Sequence, residues 1–290
     1  MNRKNKIATT ALATAIGLLV GSNAFATEPC GDFGECKVLV EINSTDGDIG
    51  FHFLMDGDDL RRAALFNPDH RKIFYYGTRR ELGEQYLTET FAESAEPLCF
   101  DPTEDDDPEN DDEDFVTRSE FLDRWDAGTY HFFGIGDDWE LSYGATELTF
   151  NLPAAPADLE YEEEMDGDDI EGEISWKRGK DLGECSDGME LLPMKPKKVP
   201  VAAWEVVLEP DVDGIVSTYK YVVRIPGDAE ELEVEVPDDY LETLPDNTPV
   251  KIEVGAIGFD DNATFTEEGD ICVKETEEDG CGFDDDEEED

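Results

Sequence analysis

Four short runs of this sequence put carboxylates beside glycine: Asp46-Gly47-Asp48, Asp56-Gly57-Asp58-Asp59, Asp166-Gly167-Asp168-Asp169 and Asp211-Val212-Asp213-Gly214. Calcium takes about six to eight oxygen ligands, mostly carboxylates and carbonyls. Asp-Gly is also the ordinary chemistry of a hairpin turn. Asp56, Asp58 and Asp59 are the first choice for a calcium site, because they place three carboxylates within one expected turn. None of the runs fits the EF-hand loop: counted from Glu209 as the first position, the closing ligand position falls on Lys220.

Other chemistry finds less support. The chain holds 76 Asp and Glu, so close carboxylate pairs arise by chance and define no glycosidase-like acid and base. His52 alternates with apolar residues, His70 lies in a turn and His131 sits in the run YHFF. No Gly-x-Ser-x-Gly elbow, His-Glu-x-x-His or phosphate-binding glycine loop accompanies them, so no catalytic residue is assigned. Trp125, Trp139, Tyr130 and Tyr143 lie close together in sequence. They would stack sugars if exposed, or fill a core if not.

Six cysteines stand at Cys30, Cys36, Cys99, Cys185, Cys272 and Cys281. In an exported chain an even number suggests disulfides. Cys30–Cys36 and Cys272–Cys281 are near enough for local loops, and Cys99–Cys185 would then tie the two halves, one connectivity among several. A metal cluster on these cysteines is disfavoured, since there is no Cys-x-x-Cys pair and no histidine nearby.

Export itself is read from the first residues. Arg3, Lys4 and Lys6 precede an apolar run from Ile7 to Gly21, and Ala24-Phe25-Ala26 follows as a small-x-small site. That order predicts a cleaved signal over residues 1–26. The run is shorter than the roughly 20 residues a spanning helix needs, so the expected product is secreted or periplasmic, with no membrane insertion after cleavage. The formal net charge of -54 repels nucleic acid and anionic membrane surfaces, which excludes both as partners. A hydrophobic fraction of 39%, patterned with strand period, marks an acidic folded protein and not a disordered one.

The elements that must position these groups are strands. Lys37 to Asn43, Ile49 to Met55, Arg71 to Tyr76 and Thr129 to Phe133 alternate or run apolar between turn-formers, as antiparallel strands do. Glu81 to Ala95 is ambiguous between helix and strands. The stretch 101–114, DPTEDDDPENDDED, is a solvated acidic insert. Thr117 and Glu120 have capping-box spacing, which predicts one short helix over Ser119 to Asp126, stopped by Gly128. Glu140 to Tyr143 and Ala145 to Asn151 are expected as two further strands. Leu152 to Pro156 is a stiff junction. Beyond it, Ile170, Gly172, Ile174 and Trp176 share one face. Val250, Ile252, Val254 and Ala256 point inward, and Lys251, Glu253 and Gly255 outward. The fold class is all-β, two β-sandwich domains: 37–151 with its insert and helix, and 153–275. An acidic tail, 276–290, follows.

The second half resembles a fibronectin type III domain. Pro153 to Leu159 is similar to the family's proline-rich entry strand, and Ile170 to Trp176 to its second strand, with Trp176 as the core tryptophan. Val201 to Leu208 and Thr218 to Ile225 resemble the next pair, and Leu244 to Ala256 the segment near the sixth strand. The resemblance implies an immunoglobulin-like sandwich over 153–275. It departs from the family where the corner tyrosine falls on Val250, and in a long loop from Lys177 to Pro200, whose Cys185 could replace part of the missing corner's stabilisation. The stretches STDGDIGFHFLMDGDDLRRAALFNPDHRKIF, ESAEPLC and ATELTFNLPAAPADLEYE are similar to a group of exported acidic bacterial proteins, which implies architecture and no activity.

The expected function is non-catalytic binding or adhesion outside the cytoplasm, to a protein or carbohydrate ligand, with calcium as a stabilising ion. The alternatives are a secreted hydrolase with a carboxylate site in the N-terminal domain, or a structural spacer in a surface assembly. Fold alone chooses none of these. A calcium site at 100 times its dissociation constant stabilises by about 2.7 kcal/mol. If Asp56, Asp58 and Asp59 form one, thermal melts of residues 27–290 will rise more in calcium than in magnesium or ionic-strength-matched sodium chloride. Equal rises in all three would reduce the effect to charge screening.

Overall fold

The computed structural model describes residues 30–101, 114–166, 169–212, 214–275 and 281. The expected signal, most of the acidic insert, all but one residue of the tail and part of two Asp-Gly runs fall outside them. Among the described residues no helix is long and apolar enough to cross a membrane. The protein is an all-β sandwich structure.

In the first half the strands are β1 Glu35–Asn43, β2 Asp48–Leu60, β3 Arg62–Phe66, β4 Lys72–Gly77, β5 Leu87–Glu93, β6 Gly128–Ile135 and β7 Leu141–Leu148. The order β4-β3-β6-β7 makes a four-stranded antiparallel sheet. It faces β1 and β2 across a core of Val38, Val40, Ile42, Phe51, Phe53 and Met55 on one side and Leu65, Tyr130 and Phe132 on the other. These residues are two apart along their strands, as a one-sided strand requires. Helix α1, Glu81–Gln85, and β5 resolve the ambiguous stretch. Helix α2, Arg118–Arg124, carries the full capping box between Thr117 and Glu120.

In the second half β8 Ala157–Asp166, β9 Asp169–Lys177 and β12 Glu233–Val236 pair in the order β12-β9-β8. Strands β10 Val201–Pro210, β11 Tyr221–Pro226, β13 Thr248–Gly258 and β14 Ala263–Val273 pair in the order β11-β10-β13-β14. Three strands thus face four, an immunoglobulin-like count of seven. Trp176, Trp204, Val206, Ile252 and Val254 fill the space between them.

The halves share a sheet. β14 pairs in parallel with β1 through Glu41/Ala263, Ile42/Thr264 and Asn43/Phe265, giving one seven-stranded sheet ordered β11-β10-β13-β14-β1-β2-β5. Asn262 is sealed at this seam. Its side chain accepts from Val40 N at 2.8 Å and donates to Thr149 O at 3.0 Å. Thr264 and Thr266 donate to Pro153 O and Pro156 O, each at 2.8 Å, so the proline junction is bonded along β14.

Several expectations are corrected. Asp56 to Asp59 is not a turn. β2 continues through it to Leu60 with a register shift against β5, because Leu60 has a buried place in the core. The expected strands at 140–151 are one strand, β7. Helix α2 ends at Arg124 with Trp125 as its cap, and Gly128 opens β6 instead of stopping a helix. Short helices occur besides α2: α1, and α3 at Asp238–Leu241. Lys251, Glu253 and Gly255 do lie on the side of β13 away from the core, but Glu253 and Gly255 are buried there and not solvated. Cys185 belongs to the first core and does not repair the missing corner. Instead the Tyr240 hydroxyl of α3 donates to Leu208 O at 3.1 Å, a hydroxyl-to-backbone bond from a different tyrosine.

Urea melts test both supports. Trp176→Ala is expected to cost about 3–5 kcal/mol by truncating a buried aromatic. Asn262→Ala should cost about 1–3 kcal/mol, because it strands buried backbone groups at the seam. An unchanged midpoint for either variant would refute its assigned role.

Candidate functional site

The face of the seven-stranded sheet turned away from both small sheets is concave. It forms a trough of about 760 Å³. Strand alternation builds it: Leu39 and Glu41 of β1, His52 of β2, Glu205 of β10, Glu253 of β13 and Phe265 of β14 point away from the cores and line it. Eleven carboxylates line it, against Lys37, Lys251, Arg224 and His52. Most of the cations are taken by ion pairs. Lys37 meets Asp261 at 3.2 Å, Lys251 meets Glu267 at 3.3 Å, and Arg224 holds Glu205.

At one end, ligand atoms of Glu41, His52 and Glu96 lie within 4.8 Å of one another. His52 Nε2 is 3.2 Å from Glu96 Oε1, and the buried ring stands edge-on to Phe91 at 5.8 Å. In the ladder Glu41 faces Gly50 and Leu39 faces His52, so His52 reaches Glu41 diagonally across the glycine.

Burial and neighbouring acids set the protonation states. Burial pushes Glu41 up to about 7, and Glu96, Glu93 and Glu205 add to it while His52 opposes it. Asp48 is also raised to about 7, by burial and then by Glu96 and Asp46. Burial disfavours the His52 imidazolium, but Glu96, Glu41 and Glu93 outweigh it and raise the group. Glu253 is pushed to about 9, by burial first and by Glu267 next. Its Oε1 is shut off from water and has no hydrogen-bond partner.

The residues singled out for calcium lie elsewhere. Asp56 is half-buried in β2, its carboxyl raised by burial and by Asp58 and Glu35. Asp58 and Asp59 are exposed. Among the described residues, the set of ligand atoms that converges for a metal is Glu41, His52 and Glu96. Asp46 and Asp48 line the trough, whereas Gly167, Asp168 and Asp213 lie outside the described residues. The cysteines pair as Cys30–Cys36, Cys99–Cys185 and Cys272–Cys281, with Cα separations of 5.5, 5.2 and 5.6 Å. Glu96 gave no sequence signal, lying in a loop 44 residues from His52. Gly50 gave one, since a glycine inside a strand marks a close approach.

A second surface lies on the outer face of the four-stranded sheet. One register row reads Tyr75, Ala64, Phe133, Tyr143 across β4, β3, β6 and β7, with Tyr75, Phe133 and Tyr143 exposed by 52%, 45% and 44%. His131 Nδ1 bonds the Tyr143 hydroxyl at 2.9 Å, and His70 stacks on His131 at 5.3 Å. Of the four aromatics named from sequence, Trp139 and Tyr143 are exposed on this side. Tyr130 is core, and Trp125 stacks on Phe51 at 4.0 Å. Beside the row is a recess of about 420 Å³ lined by Arg61, Arg62, Arg79, Arg80 and Trp139, a local excess of cations on an acidic protein.

No protein-family model matches the chain, and no curated protein matches it. Among solved structures, it is similar to the fibronectin type III domain of human collagen alpha-1(XX) chain at 13% identity and TM-score 0.24, covering 41% of this chain and 82% of that one. It is similar to the FN1–FN3 domains of chicken CNTN1 at 10% identity and TM-score 0.31, covering 82% and 64%. The BSP domain of a biofilm associated protein gives 10% identity and TM-score 0.22, covering 83% and 29%. Scores this low carry no functional weight.

The trough makes stability depend on pH. Below about 4.5, Glu253 is protonated whether folded or not. Between there and about 9 the unfolded chain gives up the proton and the folded chain keeps it, so stability falls as pH rises through this window. Glu41 and Asp48 act with the same sign up to about 7. Glu253→Gln should therefore flatten the decline in urea melts between pH 5 and pH 9, and at the alkaline end gain at least about 1.4 kcal/mol, the equivalent of one pKa unit. A variant less stable than wild type at the alkaline end would contradict the sign.

Proposed function

We propose that the protein is an exported, non-catalytic binding module that holds a polysaccharide on the outer face of the four-stranded sheet. The observation that carries this reading is the row Tyr75–Ala64–Phe133–Tyr143. It offers three exposed aromatic rings, two of them tyrosines with polar tips, and Ala64 between Tyr75 and Phe133 leaves a shallow step. Sugar rings present apolar faces to such side chains and hydroxyls to their tips, a use suited to the amphipathic character of tyrosine. The arginine recess beside the row suits an acidic substituent such as a uronate, since guanidinium groups match carboxylate geometry. Distant carboxylates do not forbid this, because charges more than about 8 Å apart are largely screened at physiological salt. The disulfides agree with an oxidising compartment.

A second reading is favoured by Glu41 and Asp48, whose pKa values near 7 suit general acid chemistry. It makes the trough a hydrolytic site.

Immobilised neutral and uronate-containing polysaccharides separate these readings. The folded chain 27–290 is expected to bind, and Phe133→Ala with Tyr143→Ala to weaken binding about ten-fold or more, equivalent to 1.4 kcal/mol. Arg79→Ala with Arg80→Ala should weaken only the uronate polymer. Binding undiminished in the aromatic variant would sink the proposal. Reducing ends released by wild type and not by Glu41→Gln would establish hydrolysis instead.

A further inference from the structure

We propose that Glu41, His52 and Glu96 bind one divalent transition-metal ion of the zinc class, on the opposite face of the first sandwich from the aromatic row and independently of the saccharide reading.

The spacing suits a metal. Zinc bonds imidazole nitrogen and carboxylate oxygen at about 2.0–2.2 Å, which places neighbouring ligand atoms of a tetrahedron about 3.4 Å apart. His52 Nε2 and Glu96 Oε1 are 3.2 Å apart, and the Glu41 oxygen lies within 4.8 Å of both. Small side-chain movements would close the set.

Gly50 keeps the place open. A Cβ there would stand 2.7 Å from His52 Nε2 and 2.8 Å from Glu96 Oε1, displacing both donors. A glycine inside a strand weakens it and gives nothing to pack, so the clearance needs a reason, and two converging ligand atoms supply one. The His52 ring is 3% exposed and set against Phe91, and this packing restricts its rotation.

A second observation favours a cation in this trough. Glu253, 9% exposed, lines the same trough with Oε1 shut off from water and unpartnered. A buried polar atom without a partner is expensive, and a divalent ion in the trough would favour the ionised form of this acid.

The donor set selects the class of metal. One imidazole and two carboxylates suit zinc and its neighbours, whereas calcium takes oxygen alone. Thiolates do not compete, since all six cysteines are in disulfides. Three protein ligands leave a coordination position open, and Glu93 stands opposite His52 in the β2–β5 ladder and lines the same trough.

The test titrates the oxidised chain 27–290 with zinc chloride by calorimetry, in excess calcium and magnesium to occupy the diffuse acidic surface. Cobalt is titrated in parallel and followed by its visible absorption. A single saturable site per chain is expected, with cobalt bands of four- or five-coordinate strength. His52→Gln, Glu96→Gln and Gly50→Ala should each weaken it about ten-fold or more, while Asp58→Asn leaves it unchanged. Glu96 lies in a loop, so its variant tests the site without depending on a strand position. Absence of a saturable site in wild type, binding undiminished in both His52→Gln and Glu96→Gln, or loss confined to Asp58→Asn would each overturn the proposal.

Discussion

Asn262 is fully sealed where β14 begins, and from there it holds Val40 on one side and Thr149 on the other. An asparagine so placed is costly unless its polar atoms are met, and here both ends are. It bonds β1 immediately beside the parallel register of β1 with β14. Around that register two sandwiches become neighbours in one sheet. The junction 152–156, which would otherwise be a free linker, is bonded along the edge through Thr264 and Thr266.

The shared sheet has unequal faces. One is covered twice, by the four-stranded sheet over β1 and β2 and by the three-stranded sheet over β10 and β13, and the apolar side chains of both cores lie there. The other gathers the polar side chains of every central strand into one concave surface. Carboxylates that would be solvated on a flat sheet are crowded and partly dehydrated there. Glu41, Asp48 and Glu253 answer by holding their protons, the usual response of an acid denied both water and a cation. Ionising these acids in the folded chain is therefore costly, and cations in the trough would reduce that cost.

The disulfide Cys99–Cys185 carries the same theme of interlocking halves. It fastens the loop between β9 and β10 onto the first core, where Leu182 and Cys185 are buried and Arg118 donates to Cys185 O at 2.7 Å. The long loop that departs from the fibronectin type III pattern is thereby a part of the first sandwich. The aromatic row and the carboxylate trough then lie on opposite outer faces of that sandwich, so the two surfaces can meet different ligands without competing.

Local pattern in the sequence determined much of the frame. Period-two burial in Val38 to Ile42, Ile170 to Trp176 and Val250 to Ala256 is read directly, because a strand has only two faces. The Thr117/Glu120 capping box declared its helix, because that bond is made within four residues. The carboxylates near Asp-Gly were legible as residues but not as a site. Whether Asp56 to Asp59 turns or stays extended was decided by the burial of Leu60, a contact with distant strands. The convergence of Glu41, His52 and Glu96 and the emergence of Tyr75, Phe133 and Tyr143 in one row arose only from register. Register is set by pairing between segments far apart in the chain. A one-residue slip would have sent each of these side chains to the other face.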